Sequence, residues 1–156
     1  MPEIEKEGFI KLKFGPRWKY IACARAFIQN FLAISIDDKA KADKIAMAAS
    51  ELLENAVKYA CSETTNIFVN VNPDNQKINV EVTNDTDTEK IAELDRIFKK
   101  LKKGKPLDVY VGMMKEAALR QDGKSQLGLA RIQYETGGEL ILDIKNHTVT
   151  MRIEIC

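Results

Sequence analysis

Ala46-Met47-Ala48-Ala49-Ser50-Glu51-Leu52-Leu53-Glu54-Asn55-Ala56-Val57-Lys58-Tyr59-Ala60 is the stretch from which the rest of the chain can be read. At about 100° per residue, Glu51, Asn55 and Lys58 fall within an arc of roughly 60° on a helix. The opposite arc carries Ile45, Ala49, Leu52, Leu53, Ala56 and Ala60. One face therefore goes to a core, and the other gathers a carboxylate, an amide and an ammonium. An amide oxygen can take one place in a Mg²⁺ shell, a lysine can meet a phosphate, and a carboxylate can accept a proton. A solvated helix face held by side-chain pairs one turn apart would show the same pattern. On this segment alone both readings stand.

Upstream, Ser35-Ile36-Asp37-Asp38 supplies caps and early negative charge for this helix, which runs to about Tyr59. Gly8-Phe9-Ile10-Lys11-Leu12-Lys13-Phe14 alternates apolar and charged residues as a half-buried strand does, and Gly15-Pro16 ends it. From Arg17 to about Ile34, Ile21, Ala24, Phe27, Ile28 and Phe31 recur at helical spacing, with Trp18 and Tyr20 read as packing aromatics. Downstream, the β-rich runs 66–71 and 77–83 flank the turn Asn72-Pro73-Asp74-Asn75 and form an antiparallel pair. Thr88 to Lys103 is helical, with Ile91, Leu94, Ile97, Phe98 and Leu101 on one face, and Gly104-Lys105-Pro106 stops it. Asp108 to about Arg120 forms another helix, which Asp122-Gly123-Lys124-Ser125 breaks, and Gln126 to Tyr134 forms a further one. After Thr136-Gly137-Gly138, Leu140–Ile144 and Val149–Ile155 complete a second hairpin. With no repeat and no linker, residues 1–156 read as a single domain. Segregated strands and helices predict an α+β fold, a two-layer α/β sandwich whose mixed, mostly antiparallel sheet is covered on one face by helices.

The 156 residues are 45% hydrophobic and 30% charged, with a net charge of +1, enough to bury one core. That balance excludes a strongly basic nucleic-acid binder or an acidic tail, so no nucleic-acid partner is expected. The local run Lys99-Lys100-Leu101-Lys102-Lys103-Gly104-Lys105 reads as a solvated face, or as a phosphate-attracting lid or a surface for an acidic partner. No apolar run approaches the roughly 18–20 residues that span a bilayer, and the N-terminus lacks a secretory core, which predicts a cytoplasmic protein without a membrane partner. Cys23, Cys61 and Cys156 lack metal-type spacing and read as reduced thiols, Cys23 and Cys61 as small apolar helix residues. His147 sits at a hairpin tip and cannot build a multi-histidine site.

Glu51-Leu52-Leu53-Glu54-Asn55-Ala56-Val57-Lys58-Tyr59 resembles the N-box of the GHKL (Bergerat) ATPases, the superfamily of gyrase, Hsp90, histidine kinases and anti-sigma-factor kinases. The element order is similar to that fold over nearly the whole chain. The resemblance implies Mg²⁺ binding by Asn55 and a general-base role for Glu51, as in the anti-sigma serine kinases. Without a phosphoacceptor-histidine helix, the chain is nearer that branch than the histidine kinases. Gly123-Lys124-Ser125-Gln126-Leu127-Gly128-Leu129-Ala130-Arg131-Ile132 echoes the second glycine box, whose amides meet phosphate at a helix start. Gly128, Leu127 and Leu129 match it well, and Gly123 and Ser125 offer flexibility and donors; a plain turn before a core helix fits the same residues. Where the first box has Asp-x-Gly-x-Gly, this chain has Asn84-Asp85-Thr86-Asp87-Thr88. Asn84 keeps an acceptor for adenine without the charge, while Thr86 and Thr88 put branched side chains where the motif has none. A modified nucleotide site and an ordinary strand-ending turn both fit. Leu107-Asp108-Val109-Tyr110 through Leu129 is also similar to the SiaB-type regulatory protein kinases.

The resemblance implies a bacterial regulatory serine/threonine-protein kinase of the anti-sigma type, with ATP and Mg²⁺ as cofactors. Asn55, Lys58, Asn84, Gly123, Ser125 and Gly128 would hold the nucleotide, Asn55 the metal, and Glu51 would act on a partner's hydroxyl. The implied partner is a STAS-type antagonist or a sigma factor, and the implied assembly a homodimer. The alternative is a non-catalytic binding module on the same fold that has lost nucleotide binding and works by protein–protein interaction. An unrelated α+β domain with a chance N-box match is the third reading.

Overall fold

Period-two alternation sets up the sheet. The computed structural model describes residues 7–119 and 127–156. Five strands, β1 (Gly8–Phe14), β2 (Thr65–Val71), β3 (Ile78–Asp85), β4 (Glu139–Lys145) and β5 (Thr148–Ile155), form one sheet in the order β1-β2-β3-β5-β4. All pairings are antiparallel, the antiparallel limit of the sheet expected. Ile10, Val69, Val80, Ile153 and Leu140 are cross-strand neighbours in one row, and Leu12, Ile67, Val82, Met151 and Leu142 in the next. These rows make the inner face of the core. The other face carries Lys11, Phe68, Glu81 and Arg152, as an antiparallel sheet with one wet side should.

Helices cover the inner face: α1 (Trp18–Ser35), α2 (Lys39–Tyr59), α3 (Thr88–Leu101), α4 (Pro106–Leu119) and α5 (Leu127–Thr136). Asp38 caps α2 by accepting from the Lys41 amide at 3.0 Å, and Asp87 caps α3 by accepting from the Lys90 amide at 3.0 Å. α2 is the central helix. It packs against α1 and α5 and lies over β3, so Ala42, Ile45, Ala46, Ala48, Ala49, Leu52, Leu53 and Ala56 are all buried.

Several expectations need correction. Trp18 and Tyr20 do not pack into the core: α1 turns Ile21, Ala24, Ile28 and Leu32 inward, which leaves Trp18 61% exposed, with Tyr20 and Phe27 also on the outside. Cys61 follows the end of α2 instead of lying within it, and all three thiols are free and exposed. β3 extends through Asn84 and Asp85 because both pair with β5, opposite Val149 and Thr148. The expected turn therefore starts later. Within the lysine run, Lys99 pairs with Asp95 at 2.8 Å and Lys100 with Glu116, while Lys102, Lys103 and Lys105 are exposed.

Candidate functional site

Asn55 is 7% exposed although it belongs to the polar arc of α2. Its Nδ2 donates to the Glu51 carbonyl one turn back at 2.9 Å. This orients the amide and leaves its oxygen as the atom that a hard cation would take. Glu51 is half-buried on the same arc. Burial pushes its carboxyl above the ordinary value and the Glu54 charge adds to the rise, while Arg131 on α5 and Arg25 on α1 pull the other way. Lys58 is exposed, with its ammonium 5.3 Å from the centre of the Tyr59 ring. The polar arc is thus graded from a buried amide to a surface ammonium.

Gly128 lies in the first turn of α5, close against Glu51. A Cβ placed on it would come within 2.9 Å of Glu51 Cδ and closer still to the carboxylate oxygen. The structure therefore brings Gly128, from the segment that resembles the second glycine box, against Glu51 of the N-box-like helix. Gly123 and Ser125 fall outside the described residues.

Asn84 ends up in the interior, 3% exposed, and donates its Nδ2 to the Ala56 carbonyl of α2 at 3.0 Å. The bond ties β3 to the N-box helix. Beside it, Thr65 is the cross-strand partner of Asn84, and Thr86 follows two residues on. Both threonines are fully buried, and their hydroxyls have no hydrogen-bond partner among the described residues. Buried unpaired hydroxyls are uncommon and call for a ligand or a water. At the helical side, the Tyr59 hydroxyl donates to Glu93 of α3 at 3.3 Å, and Gln133 of α5 donates to the Leu101 carbonyl at 3.0 Å. These bonds fasten α3 to both walls.

The donor set fits a magnesium nucleotide. Asn55 could offer one oxygen ligand, the Glu51 carboxylate stands one turn away, and the Thr65 and Thr86 hydroxyls, unpartnered among the described residues, lie beside Asn84. Among the described residues no group of three or more His, Cys, Asp or Glu side chains could hold a metal, so a cation at Asn55 would draw most of its shell from phosphate and water. Arg131, Arg25 and Thr65 were not singled out in the sequence. Arg131 sits within the quoted glycine-box segment, but its approach to Glu51 depends on how α5 meets α2.

An antiparallel sheet under helices, with a buried asparagine on the central helix and, one turn before it, a glutamate facing a glycine at the start of another helix, is the arrangement of GHKL-type ATPase domains. The sequence pattern of the family described as histidine kinase-like ATPase domain matches residues 14–133, and the chain belongs to that family. The fold is similar to a chain of the SiaB–SiaC complex from Pseudomonas aeruginosa, with a TM-score of 0.70 and 14% identity, over 94% of this chain and 88% of that one. It is also similar to the RsbU and RsbW domains of Rv1364c from Mycobacterium tuberculosis, with a TM-score of 0.60 and 14% identity; 95% of this chain is covered but only 32% of that one. No curated protein sequence matches the chain. No helix among the described residues is long and apolar enough to cross a membrane.

Proposed function

We propose that the chain is a MgATP-dependent regulatory serine/threonine-protein kinase of the partner-switching kind, acting as a single domain over residues 1–156. The observation that carries this reading is the Glu51–Asn55 pair of α2, the asparagine buried and held by the Glu51 carbonyl, the half-buried glutamate side chain against the first turn of α5. Bound MgATP would supply the transferable phosphoryl group. The Asn55 oxygen would hold the metal, and its amide stays fixed by the Glu51 carbonyl. Glu51 would take the proton from a serine or threonine hydroxyl of a partner protein, and the burial that raises its pKa makes it a stronger proton acceptor than an exposed carboxylate. Lys58 and the backbone near Gly123, Ser125 and Gly128 would offset phosphate charge, while Asn84 would present its oxygen to the base.

The likeness to a chain of the SiaB–SiaC complex supports a protein partner. In this reading the partner is a STAS-type antagonist or a sigma factor, the assembly a homodimer and the location the cytoplasm. Phosphorylation of such a partner in MgATP, lost in Glu51→Ala with nucleotide binding retained, tests the assignment. Equal loss of binding in Glu51→Ala and Asn55→Ala would contradict it.

A second reading is favoured by the first box. Asn84 uses its amide on the Ala56 carbonyl, and Thr86 fills the position of a motif glycine with a fully buried side chain. A protein–protein module that has given up nucleotide binding would keep that packing. A folded wild-type chain that binds its partner equally well with and without MgATP would favour this second reading.

A further inference from the structure

Gly128 stands on helical backbone. Among the described residues the glycines with positive φ are Gly104 and Gly137, so the backbone conformation at Gly128 gives no reason for a glycine there. Glycine also makes a helix less stable than alanine would. What the position lacks is room. A Cβ on residue 128 would lie 2.0 Å from Glu51 Oε2, 2.9 Å from Cδ and 3.5 Å from Oε1. At Gly112, in the middle of α4, a Cβ would meet nothing within 4 Å.

We infer that Gly128 is the positioning residue of Glu51: the absent side chain leaves a seat in which the carboxylate lies, between α2 and the first turn of α5. Among the described residues, the charged groups that face this carboxyl are Glu54 on α2, Arg131 on α5 and Arg25 on α1. A seat partly out of water disfavours the charged form, in line with the direction of the Glu51 shift. Oε2 is the tip of a flexible side chain, so a methyl group at residue 128 turns the carboxylate out without moving backbone. The consequence for phosphoryl transfer rests on the reading of Glu51 as the base; the seat itself does not.

The experiment is a carbon-detected NMR titration of glutamate side-chain carboxyls in the full chain, with Glu51 assigned by its loss in Glu51→Gln. In the wild type, Glu51 titrates above its ordinary range, and in Gly128→Ala its midpoint falls back toward that range. An unchanged midpoint in folded Gly128→Ala overturns the inference. Thermal unfolding supplies a second arm. Gly128→Ala shifts the melting temperature of the wild type by a different amount from its shift in a Glu51→Ala background, where the seat is empty and only helix propensity counts; equal shifts in the two backgrounds overturn the inference. If Gly128→Ala unfolds the wild-type chain, Glu51→Ala must restore the fold; a double variant that stays unfolded overturns the proposal. Undiminished phosphoryl transfer by Glu51→Gln would remove Glu51 as the base and leave the titration result standing.

Discussion

Asn84 explains how one residue can depart from a family motif and still be fixed. Its side-chain nitrogen donates to the buried Ala56 carbonyl, a bond that the family's aspartate could make only when protonated. Asn84→Asp should therefore destabilise the protein by about 1–3 kcal/mol at neutral pH, and less in acid, where a protonated carboxyl can donate. Urea unfolding at two pH values measures both. For Glu51 the folded pKa is raised, so its protonated form adds stability that is fully present below the ordinary carboxylate range. That contribution is lost as pH rises through the folded pKa. Glu51→Gln should consequently be more stable than the wild type near neutral pH, and the two should converge in acid. A difference that widens in acid would contradict the burial of this carboxyl. In the sequence, the types and spacing of Glu51, Asn55 and Lys58 were legible, but their exposures were not. The solvated-face reading fails for Asn55 because α2 is enclosed by neighbours, which the 3.6 period of one helix cannot reveal.

Among the elements, the start of α2 was legible from its capping residues, whereas the Asp87 cap of α3 lies inside the run that reads as a turn or a modified glycine box. Asp38 and Asp87 cap α2 and α3 through the Lys41 and Lys90 amides, so Asp38→Ala and Asp87→Ala should each cost about 0.5–2 kcal/mol, measured by denaturant unfolding. The bond from Gln133 to the Leu101 carbonyl is tertiary and had no signal in the sequence. Gln133→Leu should leave that buried carbonyl unpaired and cost about 1–3 kcal/mol, more than either cap if packing does not compensate. Both hairpins and all five helices were legible from periodicity and turn residues. The pairing of β3 with β5 was not, because it joins segments distant in the chain, and it is this pairing that carries Asn84 and Asp85 into the sheet. Trp18, Tyr20 and Phe27 show the limit of apolar character as a guide: the inward stripe of α1 is set by Ile21, Ala24, Ile28 and Leu32, and the larger aromatics lie off it.

For the whole molecule, one core runs from α1 through the inner sheet face to α5. Heat or urea should therefore unfold the chain in one cooperative transition, seen alike by far-UV dichroism and tyrosine fluorescence. The fold joins α2, α5 and the end of β3, and in the proposed function Asn55 faces a magnesium-bound nucleotide there. Calorimetric titration of the full chain with ATP, with and without Mg²⁺, tests that claim most directly. Binding that requires Mg²⁺ and weakens by about tenfold or more in folded Asn55→Ala is the result expected. A folded wild-type chain that gives no heat with millimolar MgATP would contradict it.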